Sequence, residues 1–457
     1  TPDGKKNKLD EQTKINLLVG NLLQKGGIYI GVTATPARLD LNNTFDNIAE
    51  NWVEFKPHDF YTGVNTFFPP NPNENLSYSL KLLPAENDDP AFLEDAVASF
   101  IASVGFLNTK DPNSVKNYTM LVHKSHKIDL HDIDYVIIVK FFEALINQEN
   151  PKCENRWRRV KKAIEKKYPN DVTKILEYVV NNIKKNKVLK MNNQSKKEGT
   201  DFDHATTPVV PFTVCIAGNI ASRGLTFNNL LSMYFTRDAG KIQQDTYVQR
   251  ARMFGSRLSY LSEFELTIPD YLYDDWHKCF LMHSFSLASI KSNKTVPTWV
   301  GDSRVTPVAK NSIDLQHIDH KKGEMSFEIF DYDEDVNNII HEENNMYEKL
   351  IKLHEKLGDK HLPYYILMFV EHSLPMKDKS IAIHNSASIE GFNSGGVDKL
   401  NIARPRGFMG RRDLEIDKYP HAIHHFKIFY NKDMQARVFY IFNGKHSIIR
   451  NLKHHKV

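Results

Sequence analysis

Cysteine is scarce in this sequence. Its 457 residues include only three, Cys153, Cys215 and Cys279, and none lies in a CxxC or Cys/His ligand spacing. Disulfide frameworks and structural zinc sites both need closely grouped thiols or imidazoles. The sequence therefore predicts no metal site and a reducing location, which we interpret as the cytoplasm.

Long apolar runs are missing as well. No run approaches the ~20 residues that span a bilayer. The N-terminal residues, TPDGKK, contain no secretory apolar core. We therefore expect no membrane partner.

The sequence also has little excess charge of either sign. Lys and Arg number 60 against 56 Asp and Glu, a formal charge of +4, and 41% of the residues are hydrophobic. This composition is typical of globular proteins and excludes a mostly disordered or fibrous chain. The length predicts more than one domain. The balanced charge does not by itself indicate nucleic-acid binding.

Short apolar runs of strand length are present instead, next to helical patterns. An amphipathic helix is predicted over Leu9–Gln24, and the following IYIGVTA of Ile28–Ala34 predicts a buried parallel strand. A helix is expected to begin near Asp129. Further buried strands are predicted at Tyr118–Val122, Phe212–Ala217 and Leu230–Phe235. The pattern indicates an α/β fold.

Basic residues are concentrated in Arg156–Lys197, where the period is helical. We interpret this stretch as a helical insertion. It either tracks nucleic-acid phosphates or is a solvated helical hairpin, and the basic loop at 404–412 leaves the same two alternatives.

The residues from 361 onward predict a separate small α/β module with strands HHFKIFY and ARVFYIF. His421, His424 and His425 alternate as in a strand and have no acid partner, so core or solvated histidines are favoured over a metal site. The EIDK of 415–418 lacks the spacing of a PD-(D/E)xK nuclease, so nuclease activity is the least favoured function.

The most informative stretch joins two motifs. A strand leads into the turn SRGLT at Ser222–Thr226, and QRARMFGSR follows at Gln249–Arg257, on what should be a helix start. This arrangement resembles motifs five and six of superfamily-two helicases, which are nucleic-acid-dependent ATPases with two RecA-like lobes. An arginine reaching in from a second lobe stabilises the charge of a transferring phosphoryl group, and so couples hydrolysis to lobe closure.

The resemblance implies roles for individual residues in these motifs. Arg252 and Arg257 would be arginine fingers, with Gln249 in the same catalytic set. Gly224, Thr226 and Arg250 would bind nucleotide, although Thr226 stands where many relatives carry Asp. A structural or nucleic-acid-facing position is the alternative for Arg250. Asn219, Ser222 and Arg223 would contact nucleic acid, with ordinary turn chemistry as the alternative.

Two earlier segments extend the resemblance. GVTATP is similar to motif three, which implies a lobe-coupling role for Thr33, Ala34, Thr35 and Pro36. YTMLVHKSHK occupies the expected place of motif four, which implies that His123 and Ser125 contact nucleic acid.

Together with FKPHDFYTGVNTFF, these motifs closely resemble the Z1 (Z-one) domain family over about Lys14 to Pro269. Members of that family are helicase-like ATPase subunits found with restriction endonucleases and other anti-phage systems. The resemblance implies ATP and Mg²⁺ as cofactors of the full-length protein, and DNA and a nuclease subunit as partners.

The phosphate-binding half of such an ATPase has no counterpart here. No GxxxxGK[ST] occurs, since Gly444-Lys445 is followed by His446 and has Phe439 in place of the first glycine. The family's DExx motif is matched only by Asp10-Glu11, which has no apolar strand before it. Because the sequence also begins with Thr1, we expect it to be the C-terminal portion of a longer ATPase, inactive alone.

The sequence thus predicts an α/β protein with RecA-like parallel sheets: the end of lobe one, a complete lobe two with a helical insertion, and a C-terminal accessory region. The predicted function is that of an ATP-dependent, helicase-like DNA translocase acting with a nuclease in restriction or phage defence. The alternative is a non-catalytic module that docks a nuclease. The predicted domains are 1–70 (end of lobe one), 71–115 (connection), 116–275 (lobe two, with the insertion at about 141–204), 276–360 (helical accessory region) and 361–457 (α/β module).

Overall fold

The computed structural model of the protein describes most of the chain. The described residues are 14–24, 26, 28, 30–42, 55–69, 75–124, 128–191, 200–218, 225–291, 297–302, 304–309, 312–313, 318–321, 324–372, 380–389, 416–443 and 447–451. They form two units. The first unit combines Thr1–Phe55, Lys241–Asp245 and Cys279–Val457, and the second combines Lys56–Gly240 and Thr246–Lys278. The domain limits given above remain predictions.

The helices and strands of the described residues are numbered in chain order. The helices are α1 (Lys14–Gln24), α2 (Ala37–Asn42), α3 (Val64–Phe67), α4 (Pro90–Lys110), α5 (Ile128–Ile146), α6 (Cys153–Lys167), α7 (Val172–Asn182), α8 (Thr200–Thr206), α9 (Gln244–Arg250), α10 (Asp270–Lys291), α11 (Glu334–His341), α12 (Met346–Leu357) and α13 (Tyr364–His372). The strands are β1 (Tyr61–Thr62), β2 (Ser79–Leu83), β3 (Tyr118–His123), β4 (Asn186–Met191), β5 (Phe212–Ala217), β6 (Leu230–Phe235), β7 (Ile242–Gln243), β8 (Gly255–Ser256), β9 (Glu265–Pro269), β10 (Thr298–Gly301), β11 (Val305–Thr306), β12 (Ile318–Lys321), β13 (Glu324–Ser326), β14 (Phe330–Asp331), β15 (Ile381–Ile383), β16 (Ala387–Ser388), β17 (His424–Tyr430), β18 (Gln435–Phe442) and β19 (Ser447–Asn451).

A six-stranded sheet with the order β2-β9-β6-β3-β5-β4 organises the second unit. All of its neighbouring strands are parallel. Every residue of β3, β5 and β6 is buried, because helices cover both faces of a parallel sheet. These strands confirm the three predictions made from apolar runs, and α5 confirms the helix expected near Asp129.

Helix α4 is the central helix of this unit. Asp89 caps its N-terminus by accepting a hydrogen bond from the Ala91 backbone N–H at 2.8 Å, and Pro90 occupies the first turn. By length and composition α4 could cross a membrane, but 67% of its most apolar stretch is buried, as in the core helix of a globular unit. The segment 71–115, predicted as a connection, therefore supplies both β2 and α4.

The basic stretch Arg156–Lys197 differs from its prediction. Helices α6 and α7 are present, but β4 follows them and pairs with β5 along the sheet edge. A period-two pattern, in which Leu189 and Met191 are buried, was concealed by the surrounding lysines. Several of the basic residues also face inward, since Arg156 and Arg159 form ion pairs with Glu94 of α4.

Gly105 allows α4 and α7 to approach closely. A Cβ atom at Gly105 would lie 2.8 Å from Cγ2 of Ile175 and 3.1 Å from Cγ2 of Val179. We expect Gly105→Val to lower the free energy of unfolding by about 1–3 kcal/mol, because two buried β-branched side chains would have to move. Urea unfolding measures this. Gly20→Val in α1, where nothing lies within 4 Å, is the control, and equal stability of both variants would contradict the packing argument.

The first unit contains smaller sheets. One has the order β13-β18-β17-β15, with β14 and β16 paired to β18 and β17, and another has the order β10-β19-β12. The strands β17 and β18 confirm HHFKIFY and ARVFYIF. His424 and His425 are buried there and His421 is exposed, as expected for core and solvated histidines.

The prediction of a buried strand at Ile28–Ala34 is wrong for the described residues of that segment. They form no strand, and Ile28, Ile30 and Val32 are 90%, 79% and 83% exposed. An apolar β-branched run encodes a strand only where neighbouring strands are available to pair with it, and no described residue pairs with this segment.

Candidate functional site

The centre of the parallel sheet contains a topological switch point. After β3 the chain continues to β4 on one side, whereas after β6 it continues to β9 on the other side. Ligands of open α/β sheets bind outside the carboxyl ends of the strands at such a point. Here β3 ends at His123 and β6 is followed by Arg237.

His123 is buried at this edge. Its ring stacks on Phe235 with centroids 5.0 Å apart, and its Nε2 lies 3.3 Å from Nη1 of Arg237. Burial holds the pKa of His123 well below its ordinary value, and the positive charges of Arg237 and Arg250 act in the same direction. The imidazole is therefore neutral, and because a guanidinium only donates hydrogen bonds, Nε2 is the acceptor.

Arg250 lies over an aromatic ring, and Arg237 contacts the His123 imidazole that stacks on the same aromatic cluster. The Arg250 guanidinium lies 5.3 Å from the centroid of Tyr247. The Tyr247 ring in turn contacts Phe235 and Trp276, at centroid separations of 6.5 and 5.6 Å. Tyr247 and Trp276 are buried, whereas both arginines are half-buried.

The motif QRARMFGSR begins at the end of a helix, whereas the sequence predicted a helix start there. Gln249 and Arg250 form the last turn of α9, and the residues up to Arg257 follow it. The chain turns at Gly255, whose φ of 148° strains any other residue. Asp245, in the first turn of α9, favours a helix start before the motif, because its negative charge interacts favourably with the N-terminal end of the helix dipole.

Arg252 connects the two motifs. Its Nη1 donates a hydrogen bond to the carbonyl oxygen of Leu225 at 2.8 Å. Burial lowers the pKa of the half-buried guanidinium. Leu225 belongs to the turn that precedes β6, so the structure brings together the motifs that the sequence separates.

Arg257 is fully buried and forms hydrogen bonds with the turn that precedes β6. Its Nη1 donates hydrogen bonds to the carbonyl oxygen of Asn228 at 3.0 Å and to Oη of Tyr260 at 2.8 Å. Its other nitrogens face the carbonyl oxygens of Met253 and Arg252 at 3.4 Å. A guanidinium placed in this way reaches a phosphate only by giving up these bonds.

The remaining residues predicted to bind nucleotide or nucleic acid divide into two groups. Thr226 is exposed, so it is accessible to a ligand. Ser125, Asn219, Ser222, Arg223 and Gly224 lie outside the described residues.

The predicted coupling residues belong to the first unit. Thr33 and Ala34 are exposed, while Thr35 and Pro36 are buried. Oγ1 of Thr33 accepts a hydrogen bond from the backbone N–H of Thr35 at 3.0 Å, which fixes the turn ahead of α2. Their coupling role stays a prediction.

Two buried acids hold α2 in place. Asp40 accepts a hydrogen bond from Nε1 of Trp299 at 2.6 Å, and Arg38 forms an ion pair with Asp245 in the first turn of α9. The TATP turn is thereby anchored in the core of its unit.

Sequence reasoning missed Arg237 and its aromatic support. Arg237 belongs to no motif, and its only sequence signal is its place directly after a predicted strand. Tyr247 and Trp276 are far from it in sequence. Among the described residues, no group of three or more His, Cys, Asp or Glu could hold a metal ion. Two charged side chains at this edge are the guanidiniums of Arg237 and Arg250.

Comparison with known proteins confirms the resemblance to the Z1 family for the part of the sequence that follows GVTATP and FKPHDFYTGVNTFF. Residues 92–301 match the sequence model of the Z1 domain family. A search of curated proteins found no match. The matched segment runs from α4 to β10 and contains the switch point and both arginine motifs.

Proposed function

We propose that this chain, which carries a Z1 domain over residues 92–301, is the nucleic-acid-contacting part of an ATP-dependent, helicase-like DNA translocase. In this proposal it acts in the cytoplasm with a nuclease subunit in restriction or phage defence. The observation that carries the proposal is the contact of Arg252 with the Leu225 carbonyl, which joins the two helicase-like motifs.

The fold of the second unit supports a RecA-like assignment. Its sheet is parallel throughout, and its motif-bearing segments flank the central strands β3, β5 and β6. A fold of this type is shared by many functions. The proposal therefore depends on the arginines and not on the sheet alone.

Arg252 is the residue that we assign to the transferring phosphoryl group. Arginine remains a cation at neutral pH even when burial lowers its pKa, and the Arg252 guanidinium is half-buried and holds the Leu225 carbonyl. Arg257 keeps the turn in position, so its contribution to hydrolysis acts through Leu225–Asn229. The buried bonds of Arg257 to Asn228 and Tyr260 support this division of roles.

ATP and Mg²⁺ would need further residues. The sequence has no GxxxxGK[ST] motif, and the described carboxylates form no metal-holding cluster. The phosphate loop and the magnesium ligands would therefore come from residues outside this sequence. When bound, the metal neutralises charge on the β- and γ-phosphates, and this chain contributes Arg252.

Three exposed apolar residues near the start of the first unit support the same proposal. The side chains of Ile28, Ile30 and Val32 alternate as in a strand but face solvent. A sheet completed by residues outside this sequence would cover them, which is the arrangement expected for the end of a first lobe.

Titration calorimetry with ATP tests this division of labour. The 457-residue chain alone should show no micromolar ATP site. Its arginines would contact the phosphates, but the sequence contains no GxxxxGK[ST] loop to bind them tightly. A longer polypeptide that includes an upstream GxxxxGK[ST] segment should bind ATP at micromolar concentration in the presence of Mg²⁺. Micromolar binding by the 457-residue chain would contradict the proposal.

A further inference from the structure

We propose that Arg237 and Arg250 form a phosphate-binding pair at the carboxyl edge of the sheet, with Arg237 as the principal contact to the phosphodiester backbone of DNA. This inference deepens the proposed function by naming the surface that holds the strand. The residue at its centre, Arg237, belongs to neither helicase-like motif.

The place of the pair in the fold is the first argument. Arg237 follows β6, and its partner His123 ends β3, the neighbouring strand. The chain diverges from these two strands in opposite directions. Open α/β sheets receive their ligands outside the carboxyl ends of two strands that diverge in this way.

The support beneath Arg237 is the second argument. Nη1 is fixed by Nε2 of His123 at 3.3 Å, and His123 is fixed in turn by its stacking on Phe235. Phe235 also packs against Trp276, with centroids 4.5 Å apart. A guanidinium held on rigid rings loses little side-chain entropy when it binds, which favours affinity.

The state of His123 is the third argument. Because the imidazole is neutral, it accepts a hydrogen bond from Arg237 without repelling it. His123 is only 3% exposed, so it does not reach a ligand itself. Its predicted role in nucleic-acid contact is therefore that of a positioning residue, acting through Arg237.

Arg250 supplies the second positive charge. Its guanidinium lies over the ring of Tyr247, which packs against Phe235 beneath His123. Two half-buried guanidiniums beside one aromatic cluster fit an anion with several oxygens, since each presents a planar fork of donors. A phosphate group has this chemistry, whether it belongs to a DNA strand or to a free nucleotide.

The test is fluorescence anisotropy with a labelled single-stranded oligonucleotide, at salt concentrations from 50 to 200 mM, roughly the range over which phosphate contacts lose affinity. Arg237→Gln should weaken binding by about tenfold at the lower salt, and should reduce the slope of log K against log salt by about 0.7, the value for one single-strand phosphate contact. Arg237→Lys should restore the slope but only part of the affinity.

The matched control is Lys360→Gln, which removes an exposed cation that pairs with Glu328 and lies outside the basic stretch Arg156–Lys197. It should change neither affinity nor slope. Thermal unfolding of each variant establishes that the fold is kept.

The remaining outcomes are distinct. ATP and inorganic phosphate are also tested for their ability to displace the labelled oligonucleotide. If Arg237→Gln leaves oligonucleotide binding unchanged but raises the concentration of ATP or phosphate needed for displacement, the pair binds a free phosphate, and the DNA assignment is overturned. If folded Arg237→Gln binds all three probes like the unmodified chain, the pair is not a phosphate site. Neither result affects the ATPase proposal, which fails instead if DNA binds through Arg237 but does not stimulate hydrolysis.

Discussion

Replacing Arg252 by alanine is expected to lower the kcat of DNA-stimulated ATP hydrolysis by about 10³- to 10⁵-fold, the range for a lost arginine finger. The measurement uses a polypeptide that contains an upstream phosphate loop together with this chain. The loss arises because a guanidinium stabilises charge that develops on the phosphoryl oxygens only in the transition state. The KM for ATP and the affinity for DNA should change little.

Two other variants sharpen the Arg252 experiment. Lys360→Ala removes an exposed cation that pairs with Glu328 and should leave turnover unchanged. Arg257→Ala should lower the free energy of unfolding by about 1–3 kcal/mol, because buried carbonyl oxygens lose their donor. If Arg257→Ala is stable and loses turnover while Arg252→Ala keeps it, the roles assigned to the two arginines are reversed.

Replacing Lys167 by methionine is expected to lower the free energy of unfolding by about 3–5 kcal/mol, the cost of removing one partner of a buried ion pair. Nζ of Lys167 lies 3.0 Å from Oε2 of Glu265, a buried carboxylate at the start of β9. Oε2 also accepts a hydrogen bond from the Ser99 hydroxyl at 2.6 Å. These bonds tie α4 and α6 to the sheet, and the variant would leave a buried charge without its cation.

The pH dependence of the stability of Lys167→Met provides an independent test of the ion pair. Burial alone would raise the pKa of Glu265, but Lys167 and the Ser99 hydrogen bond lower it below its ordinary value. In the unmodified chain, Glu265 therefore contributes to the free energy of unfolding at pH values above its pKa in the unfolded state. This contribution is lost as the pH falls through the pKa of Glu265 in the folded state. In Lys167→Met burial prevails, the folded pKa is raised, and stability should increase as the pH falls from 7 toward about 5.

The matched control is the double variant Lys167→Met with Glu265→Gln. It removes both charges and should recover a large part of the lost stability in urea unfolding at pH 7. A loss of less than about 1 kcal/mol in Lys167→Met would show that the pair does not hold the helices to the sheet.

The strands that sequence predicted correctly are those whose apolar runs are fully buried. Phe212–Ala217 and Leu230–Phe235 have the predicted limits, because both lie inside a sheet covered on its two faces. The same reasoning placed a strand at Ile28–Ala34 and failed, since the partner strands that it needs are not among the described residues. An apolar run indicates that a segment favours burial, but it does not show whether partner strands are present to pair with it.

Two other differences come from tertiary contacts that local pattern does not encode. The strand Asn186–Met191 lies in a Lys-rich run that reads as helical, and pairing with β5 decides its conformation. The motif at Gln249–Arg257 was expected at a helix start, but Asp245 places the start of α9 earlier.

The candidate site was predictable only in part. Motif spacing identified Arg252 and Arg257, but it gave both the same role, because burial and the carbonyl partners of Arg257 are properties of the fold. Arg237 carries no motif signal. It becomes a candidate only when β3 and β6 are neighbours, and this follows from the strand order.

The central claim is that DNA drives ATP hydrolysis through this chain, and steady-state hydrolysis by the longer polypeptide, with and without DNA, tests it most directly. The account predicts that DNA raises kcat, and that Arg252→Ala abolishes the increase while Lys360→Ala preserves it. Hydrolysis that is indifferent to DNA, or a DNA-dependent increase that survives Arg252→Ala, would contradict the account.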